Sequence, residues 1–177
     1  IDGYVHVTEV LNFFQHFTPK QKKAGREALR IGTRVDELCH QDWSETGYKL
    51  KKSDKAEVKN CMEAWERWKK DYSSIYKAIS GMQITQRFDD WKVQGTLDIE
   101  STGFVIDIKT SKKVSLFYWL QVAAYNRQKR HPFLAILRLD KYTGDYYFDV
   151  QEDTTEYLVS VFQGLLSAYY YLRKDKL

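Results

Sequence analysis

The sequence predicts an α/β fold with a central mixed sheet flanked by helices, and three observations support this class. Apolar residues recur at helical spacing through the first 81 residues. From residue 82 the pattern changes to the alternation of strands, and a further helical pattern separates two of these strands. With 177 residues the chain has the length of one domain, so we predict a single unit with a mainly helical part (1–81) and a sheet-bearing core (82–177).

Helical spacing predicts three helices in the first part. The third is the clearest, because Asp54 and Glu57 resemble a capping box and an apolar stripe follows until Gly81. Gly32 marks an expected break in the second helix, and a polar loop is expected to follow that helix. The predicted spans are 8–14, 19–40 and 54–81.

Alternating apolar and polar residues predict a meander of three strands and a later hairpin. A short turn at 101–103 joins the last two strands of the meander, and Gly144 lies in the turn of the hairpin. One helix is predicted between the meander and the hairpin, and another after the hairpin. The predicted strands cover 83–89, 92–100, 104–110, 133–139 and 146–150, and the helices cover 114–130 and 154–172.

Composition excludes several classes of protein. Hydrophobic residues make up 43% and charged residues 29% of the chain, which is too apolar for a disordered tail. No apolar run approaches the roughly 18 residues of a membrane span, so we expect no membrane partner. Cys39 and Cys61 are too few to ligate an iron–sulfur cluster, and we expect reduced thiols of a cytoplasmic protein. The net charge of +4 suggests a polyanionic partner.

Two carboxylates and a lysine are predicted to converge on the hairpin of the meander. Alternation places Asp107 and Lys109 on one face of their strand, and a tight turn would set Asp98 opposite Val105. Asp107 would then be the diagonal neighbour of Asp98, about 7–8 Å away. Two carboxylates this close resist ionisation unless a cation lies between them, and Mg²⁺ prefers such oxygen ligands. Lys109 could hold a water and offset negative charge on phosphorus.

The alternative is a ladder of Asp and Lys side chains on a solvated strand, which is the more common arrangement. Against it, residues 104–108 are almost continuously apolar, as in a strand that is covered on both faces. An aspartate in such a strand is costly without a partner, which favours a site.

Three motifs follow one another in the order of a known nuclease family. They are Gly95-Thr96-Leu97-Asp98, Asp107-Ile108-Lys109-Thr110 and Gln121-x-x-x-Tyr125. This series resembles the PD-(D/E)XK nucleases, and among them the RecB-like and phage-type exonucleases. The resemblance implies a restriction-endonuclease-like core with an N-terminal helical elaboration. It also implies one or two Mg²⁺ or Mn²⁺ ions, held by Asp98, Asp107 and the carbonyl of Ile108, with Asp98, Asp107 and Lys109 as catalytic residues.

A fourth segment, 32–38, is similar to the family segment whose histidine binds metal, but Asp36 occupies that position here. A carboxylate is an acceptable ligand for Mg²⁺ or Mn²⁺, so we predict Asp36 as a further ligand. A weakened metal site and an altered metal preference stay open as alternatives. His40, one turn further along, is a candidate substitute ligand, although a solvent-facing or core role is more common for such a residue. Some relatives carry a glutamate on the strand before GxxD, where this chain has only Gln83 and Gln86, which we expect to be structural or to contact substrate.

The resemblance implies a metal-dependent deoxyribonuclease, and more specifically an exonuclease that acts at the end of single-stranded or duplex DNA. Residues 111–139 contain no Asp or Glu, so lysines beside the site are well placed to meet phosphates. Tyr118 and Trp119 either stack on a base or pack against the sheet. The predicted DNA-binding residues are Thr110, Ser111, Lys112, Lys113, Gln121 and Tyr125.

Two other functions stay open. The chain could be a catalytically weak or inactive DNA-binding module on a nuclease fold, or it could be a structure-specific endonuclease. A homo-oligomer or a replication or recombination partner is compatible with each of these functions. The expected location is the cytoplasm, which would be the host cytoplasm for a phage or viral protein.

Overall fold

The computed structural model describes residues 3–15, 19–45, 47–152 and 155–173, and it is a mixed α/β structure. A six-stranded mixed sheet is flanked by helices, as the sequence predicts. No helix in these four ranges is long and apolar enough to cross a membrane. The strands are β1 (Val5–His6), β2 (Ile79–Phe88), β3 (Val93–Ser101), β4 (Phe104–Lys109), β5 (Phe133–Leu139) and β6 (Tyr146–Glu152). The helices are α1 (Val7–Phe13), α2 (Pro19–Glu45), α3 (Ala56–Asp71), α4 (Ser73–Lys77), α5 (Leu116–Lys129) and α6 (Thr155–Arg173).

The sheet has the order β1-β3-β4-β5-β6, and β2 also pairs with β3. β2 runs antiparallel along the whole of one edge of β3. The other edge of β3 is shared, because β1 pairs with its first two residues and β4 with its last three. The intervening segment, 95–98, has no ladder with a described strand on this edge. The interruption contains Asp98, so the sheet is open where one of the predicted ligands lies.

The turn between β3 and β4 lies one residue further along the chain than predicted. Ser101 pairs with Phe104, so only Thr102 and Gly103 form the turn, and Gly103 has a φ of +81°. Two-residue hairpin turns need positive φ, which glycine adopts without steric cost.

This turn changes the register on which the predicted site depended. Val105 pairs with Glu100, so the predicted pairing of Val105 with Asp98 is wrong. Continuing the observed register beyond the last ladder pair sets Asp98 opposite Asp107. The ladder itself ends at Ile99 and Ile106, and beyond it the contact between the two strands is the hydrogen bond from the Ile108 N–H to the Asp98 carboxylate.

Apolar cores cover both faces of the sheet. On one face Val105 and Leu134 belong to the core that includes residues of α1, α5 and α6. On the other face Ile106 and Ala135 belong to the core that includes residues of α2 and α3. Alternate residues of β4 therefore enter opposite cores, which confirms the prediction of a strand covered on both sides.

Helix α2 is longer and more continuous than predicted. It passes through Gly32 without interruption and includes residues 41–45, which were predicted to be loop. Asp42 gives the reason, because this carboxylate is only 6% exposed. It accepts hydrogen bonds from Trp65 Nε1 at 2.9 Å, Lys69 Nζ at 2.6 Å and the Tyr76 hydroxyl at 3.1 Å. These long-range contacts to α3 and α4 stabilise the last turn of α2.

The predicted helix 54–81 is wrong at both ends. Asp54 does not cap α3, because its carboxylate accepts hydrogen bonds from the Arg34 side chain and the Lys51 N–H. The helix stops before Tyr72, whose ψ of 41° is not helical. After the short helix α4, Gly81 lies inside β2. At the other end of the chain, position 154, the predicted start of the last helix, lies outside the described residues.

Candidate active site

A cleft of about 320 Å³ opens where α1, α2 and α5 meet the end of β4. Its lining combines residues from four elements and from the loop after β4. It brings together six of the residues predicted from the sequence, which are Asp36, Ile108, Lys109, Thr110, Ser111 and Gln121. The cleft is therefore the candidate site.

Asp107 lies in the interior next to this cleft. Its side chain is 0% exposed, and its Oδ2 lies 2.5 Å from Lys109 Nζ. Apart from this ion pair, neither carboxylate oxygen has a hydrogen bond within the described part of the chain. Burial raises the pKa of Asp107 to about 7, with Lys109 opposing and Asp98 adding to the increase.

Asp98 is held from both sides by its neighbouring strands. The Ile108 N–H of β4 donates to Asp98 Oδ2 at 2.8 Å. The side-chain amide of Gln83, on β2, donates to Asp98 Oδ1 at 3.3 Å. This carboxylate is therefore fixed by two donors and joins the three strands.

Asp36 projects from α2 and is half-buried. Burial and the charges of Asp98 and Asp107 together raise its pKa to about 8, against the opposing effect of Lys109. Asp36 is thus electrostatically part of the same cluster as the two strand aspartates.

The three carboxylates do not form a ready-made ligand cluster. Within the described ranges, no group of three or more His, Cys, Asp or Glu side chains is already spaced to hold a metal ion. Lys109 instead neutralises part of the charge. The donor set nevertheless fits a hard divalent cation, because all three side chains offer oxygen and both oxygens of Asp107 lack hydrogen bonds to the described residues.

Lys109 is charged in this environment. Burial lowers its pKa, but the charges of Asp107 and Asp98 outweigh this effect and raise the pKa above its ordinary value. The ammonium also lies 5.1 Å from the ring centroid of Tyr118, within range of a cation–π interaction. Tyr118 lines the cleft and also packs against the core on the α1–α5–α6 face, so its position fits both of the predicted alternatives.

Gln121 and Tyr125 lie one turn apart on α5, as predicted, but they differ in access. Gln121 lines the cleft and is 9% exposed, whereas Tyr125 is 1% exposed. The Gln121 amide donates to the Tyr125 hydroxyl at 3.4 Å. Of the two residues, Gln121 reaches the cleft surface and Tyr125 supports it from behind.

The Tyr125 ring explains the glycine of the GxxD motif. A Cβ at Gly95 would lie 2.6 Å from both Cε1 and the hydroxyl oxygen of Tyr125. The first residue of GxxD, on β3, is therefore in close contact with the last residue of QxxxY, on α5.

Lys112 and Lys113 are exposed in the loop between β4 and α5. Ser111 is the last residue of this loop that lines the cleft, and its hydroxyl donates to the Lys113 carbonyl at 2.9 Å. Both lysines are accessible and follow the cleft directly in sequence, as a role in phosphate binding requires.

Several residues of the site were not predicted from the sequence. Asn12 of α1 and Gln15, two residues beyond the end of this helix, line the cleft, although the sequence contains no motif that marks them. A second cavity of about 340 Å³ is lined by Thr33, Asp36, Glu37, His40 and Gln83, so Asp36 borders both cavities.

The remaining residues that the sequence singled out, Gln86, Cys39 and Cys61, are buried in the protein interior. Gln86 is 5% exposed, and its amide has no hydrogen bond to the described residues. Cys39 and Cys61 are buried free thiols, and the Cys61 thiol lies 3.6 Å from the Leu139 carbonyl. Both cysteines belong to the core on the α2–α3 face.

Comparison with models of known protein families finds no match to this chain. A search of curated proteins also finds no match. The functional interpretation therefore depends on the motifs and on the geometry of the site.

We predict that Gly95→Ala destabilises the protein by about 1–3 kcal/mol, because the added methyl group would overlap the buried Tyr125 ring. Urea unfolding measures this change in the free energy of unfolding. The control is Gly164→Ala in α6, where no atom lies within 4 Å of the added Cβ. That change should stabilise the helix by up to about 1 kcal/mol. Equal stability of Gly95→Ala and the wild type would contradict the contact.

We predict that stability falls with rising pH when a chelator is present, and that Asp107→Asn reduces this fall. The pKa of Asp107 is about 7 in the folded chain, against an ordinary value of 3.8. Unfolding therefore releases a proton between these pH values, so the contribution of Asp107 is fully present below about pH 4 and is lost as the pH approaches 7. Urea unfolding from pH 4 to 8 tests this.

The matched control for the pH series is Asp149→Asn, which alters an exposed aspartate of β6. This variant should keep the pH profile of the wild type. If Asp107→Asn also keeps the wild-type profile, the folded-state pKa of Asp107 is not raised and the assignment is wrong.

Proposed function

We propose that the protein is a metal-dependent deoxyribonuclease that hydrolyses phosphodiester bonds from a strand end. The observation that carries this proposal is the state of Asp107. A fully buried carboxylate without hydrogen bonds to the described residues is costly, and its charge is balanced only by the adjacent Lys109. Perturbed carboxylates beside an open cleft are typical of functional sites.

We also propose that the chain is a RecB-like or phage-type member of the PD-(D/E)XK nucleases. The antiparallel β3–β4 hairpin carries GxxD and DxK, and the QxxxY motif lies on the next helix, α5. A parallel strand, β5, follows that helix and pairs with β4. This order supports a restriction-endonuclease-like core within the mixed sheet.

Asp36, Asp98, Asp107 and the carbonyl of Ile108 would hold one or two Mg²⁺ or Mn²⁺ ions. When bound, such an ion polarises the phosphate and supplies an activated water. The carboxylates of Asp36 and Asp107 lose their protons as they take up a ligand role, because only the ionised form binds metal. Ion binding should therefore release protons near neutral pH.

Lys109 stabilises negative charge and holds the nucleophile, but it does not act as the base. Its raised pKa keeps the ammonium protonated, so it can donate a hydrogen bond to a water or to a phosphate oxygen. The face of Tyr118 limits where this ammonium can move. Gln121, at the cleft surface, would orient the scissile strand.

The lining of the cleft offers contacts for a nucleic-acid strand. Residues of α1, α2 and α5 all contribute to its lining. Phe117 and Tyr118 present aromatic surface on which a base can stack, and Asn12 and Gln15 present amides that can bond to a base or sugar.

A DNA-binding module without catalysis is the second candidate. Two observations favour it: Lys109 already pairs with Asp107, and the described carboxylates do not form a preformed ligand cluster. In this function the lysines would bind DNA while the site remains inactive.

Cleavage assays on linear DNA test the proposed activity. We expect digestion with Mg²⁺ or Mn²⁺ that stops when a chelator is added. Asp107→Asn removes a proposed metal ligand, and Lys109→Ala removes the ammonium that acts on the phosphate, so each should lower the rate at least about a hundredfold. The controls Asp149→Asn and Lys59→Ala alter exposed residues of β6 and α3 and should keep the wild-type rate.

The form of the DNA separates the candidates. Covalently closed circles should stay intact with an end-dependent enzyme, whereas cut circles would identify an endonuclease. DNA binding without cleavage in either metal would reject the enzyme and support the binding module.

Replacing Lys112 and Lys113 by alanine should weaken DNA binding without abolishing cleavage at saturating DNA. If each lysine contacts one phosphate, the slope of log affinity against log salt should become shallower by about 1.4 for a single strand or about 1.8 for a duplex. Fluorescence anisotropy from 50 to 200 mM salt measures this slope. An unchanged slope would show that these lysines do not contact phosphates.

A further inference from the structure

Gln83 has an unusual backbone conformation for its place in the sheet. Its φ is +54°, although it lies inside β2, between the pairs Met82–Ile99 and Ile84–Leu97. The other described non-glycine residues with positive φ, Lys92 and Arg130, lie in a turn and at the end of α5. Left-handed backbone in a glutamine is unfavourable and persists only where the surrounding structure requires it.

This conformation accompanies a specific contact with the candidate site. The Gln83 amide donates to Asp98 Oδ1 at 3.3 Å, and the Ile108 N–H donates to Asp98 Oδ2 at 2.8 Å. A carboxylate can only accept, so the NH₂ group of Gln83 must face it. Asp98 is therefore clamped by one donor from each neighbouring strand.

Gln83 also lies beside a second predicted ligand. It lines the cavity of about 340 Å³ that includes Asp36 and His40. One half-buried glutamine thus connects the surroundings of Asp36 with the orientation of Asp98.

We propose that Gln83 is a positioning residue for the Asp98 carboxylate, an inference that rests on the proposed metal-dependent function. Each oxygen of Asp98 has two lone pairs, so each keeps one for a cation after it accepts its hydrogen bond. Without the amide, one oxygen loses its donor and the carboxylate can rotate about its terminal bond. Loss of such an orienting partner typically weakens metal binding about 10- to 100-fold.

Two variants separate the amide from the backbone conformation. Gln83→Met keeps a side chain of similar length but removes the donor. Gln83→Gly removes the donor and also relieves the positive φ. The matched controls are Gln94→Met, which alters a half-buried glutamine of β3, and Lys92→Gly, which relieves a φ of +51° in a turn.

The measurements are Mn²⁺ binding to the full chain by calorimetry without DNA, thermal unfolding, and the Mn²⁺ dependence of DNA cleavage. We expect both Gln83 variants to weaken Mn²⁺ binding about 10- to 100-fold, and both controls to stay within about twofold of the wild type. Gln83→Gly and Lys92→Gly should change the melting temperature in the same direction. Saturating Mn²⁺ should restore cleavage by the Gln83 variants, with the KM for DNA unchanged.

The outcomes distinguish this inference from the function on which it rests. If the wild type binds no Mn²⁺, both the metal-dependent function and the role of Gln83 are overturned. If the wild type binds Mn²⁺ and Gln83→Met binds it equally well, only the role of Gln83 is overturned. A purely structural role would lower the melting temperature of Gln83→Met without changing its affinity for Mn²⁺.

Discussion

The buried ion pair of Asp107 and Lys109 is the constraint on which the candidate site depends. β4 is covered by apolar cores on both faces, and Asp107 has no exposed surface. A carboxylate there is tolerated only with a compensating charge, which the lysine two residues later supplies on the same face. The pair is also only partly satisfied, because the Asp107 oxygens lack hydrogen bonds to the described residues. These oxygens are the reason for proposing a metal ligand at this position.

One edge of β3 is interrupted beside this site. β1 and β4 share this edge and leave the segment 95–98 without a described strand partner there. Gly95 allows Tyr125 of α5 to pack closely, and Asp98 is held by donors from β2 and β4. The motif residues thus have structural tasks as well as proposed chemical ones. Packing alone is therefore sufficient to explain the motif residues. Metal-binding and cleavage assays decide whether these residues also act chemically.

The proposed nuclease and the alternative binding module would have the same cleft. They differ in whether Lys109 remains paired with Asp107. In the nuclease, Lys109 acts on the phosphate while the carboxylates hold metal. In the binding module, Lys109 remains the permanent partner of Asp107. The raised pKa values of Asp36 and Asp107 mean that protons offset part of the negative charge of this cluster near neutral pH. The two functions therefore differ in whether a cation replaces these protons.

The sequence alone determined the features that depend on local periodicity. Alternation placed Asp107 beside Lys109, helical spacing placed Gln121 one turn before Tyr125, and the bounds of β5 were predicted correctly. Only the tertiary structure decided the features that depend on distant contacts, because local propensities are too weak to specify them. The position of the hairpin turn set Asp98 opposite Asp107, and contacts of Asp42 with α3 and α4 extended α2. Neither the burial of Tyr125 nor the bond from Gln83 to Asp98 has a signature in the spacing of residues, since each joins elements that are separate along the chain.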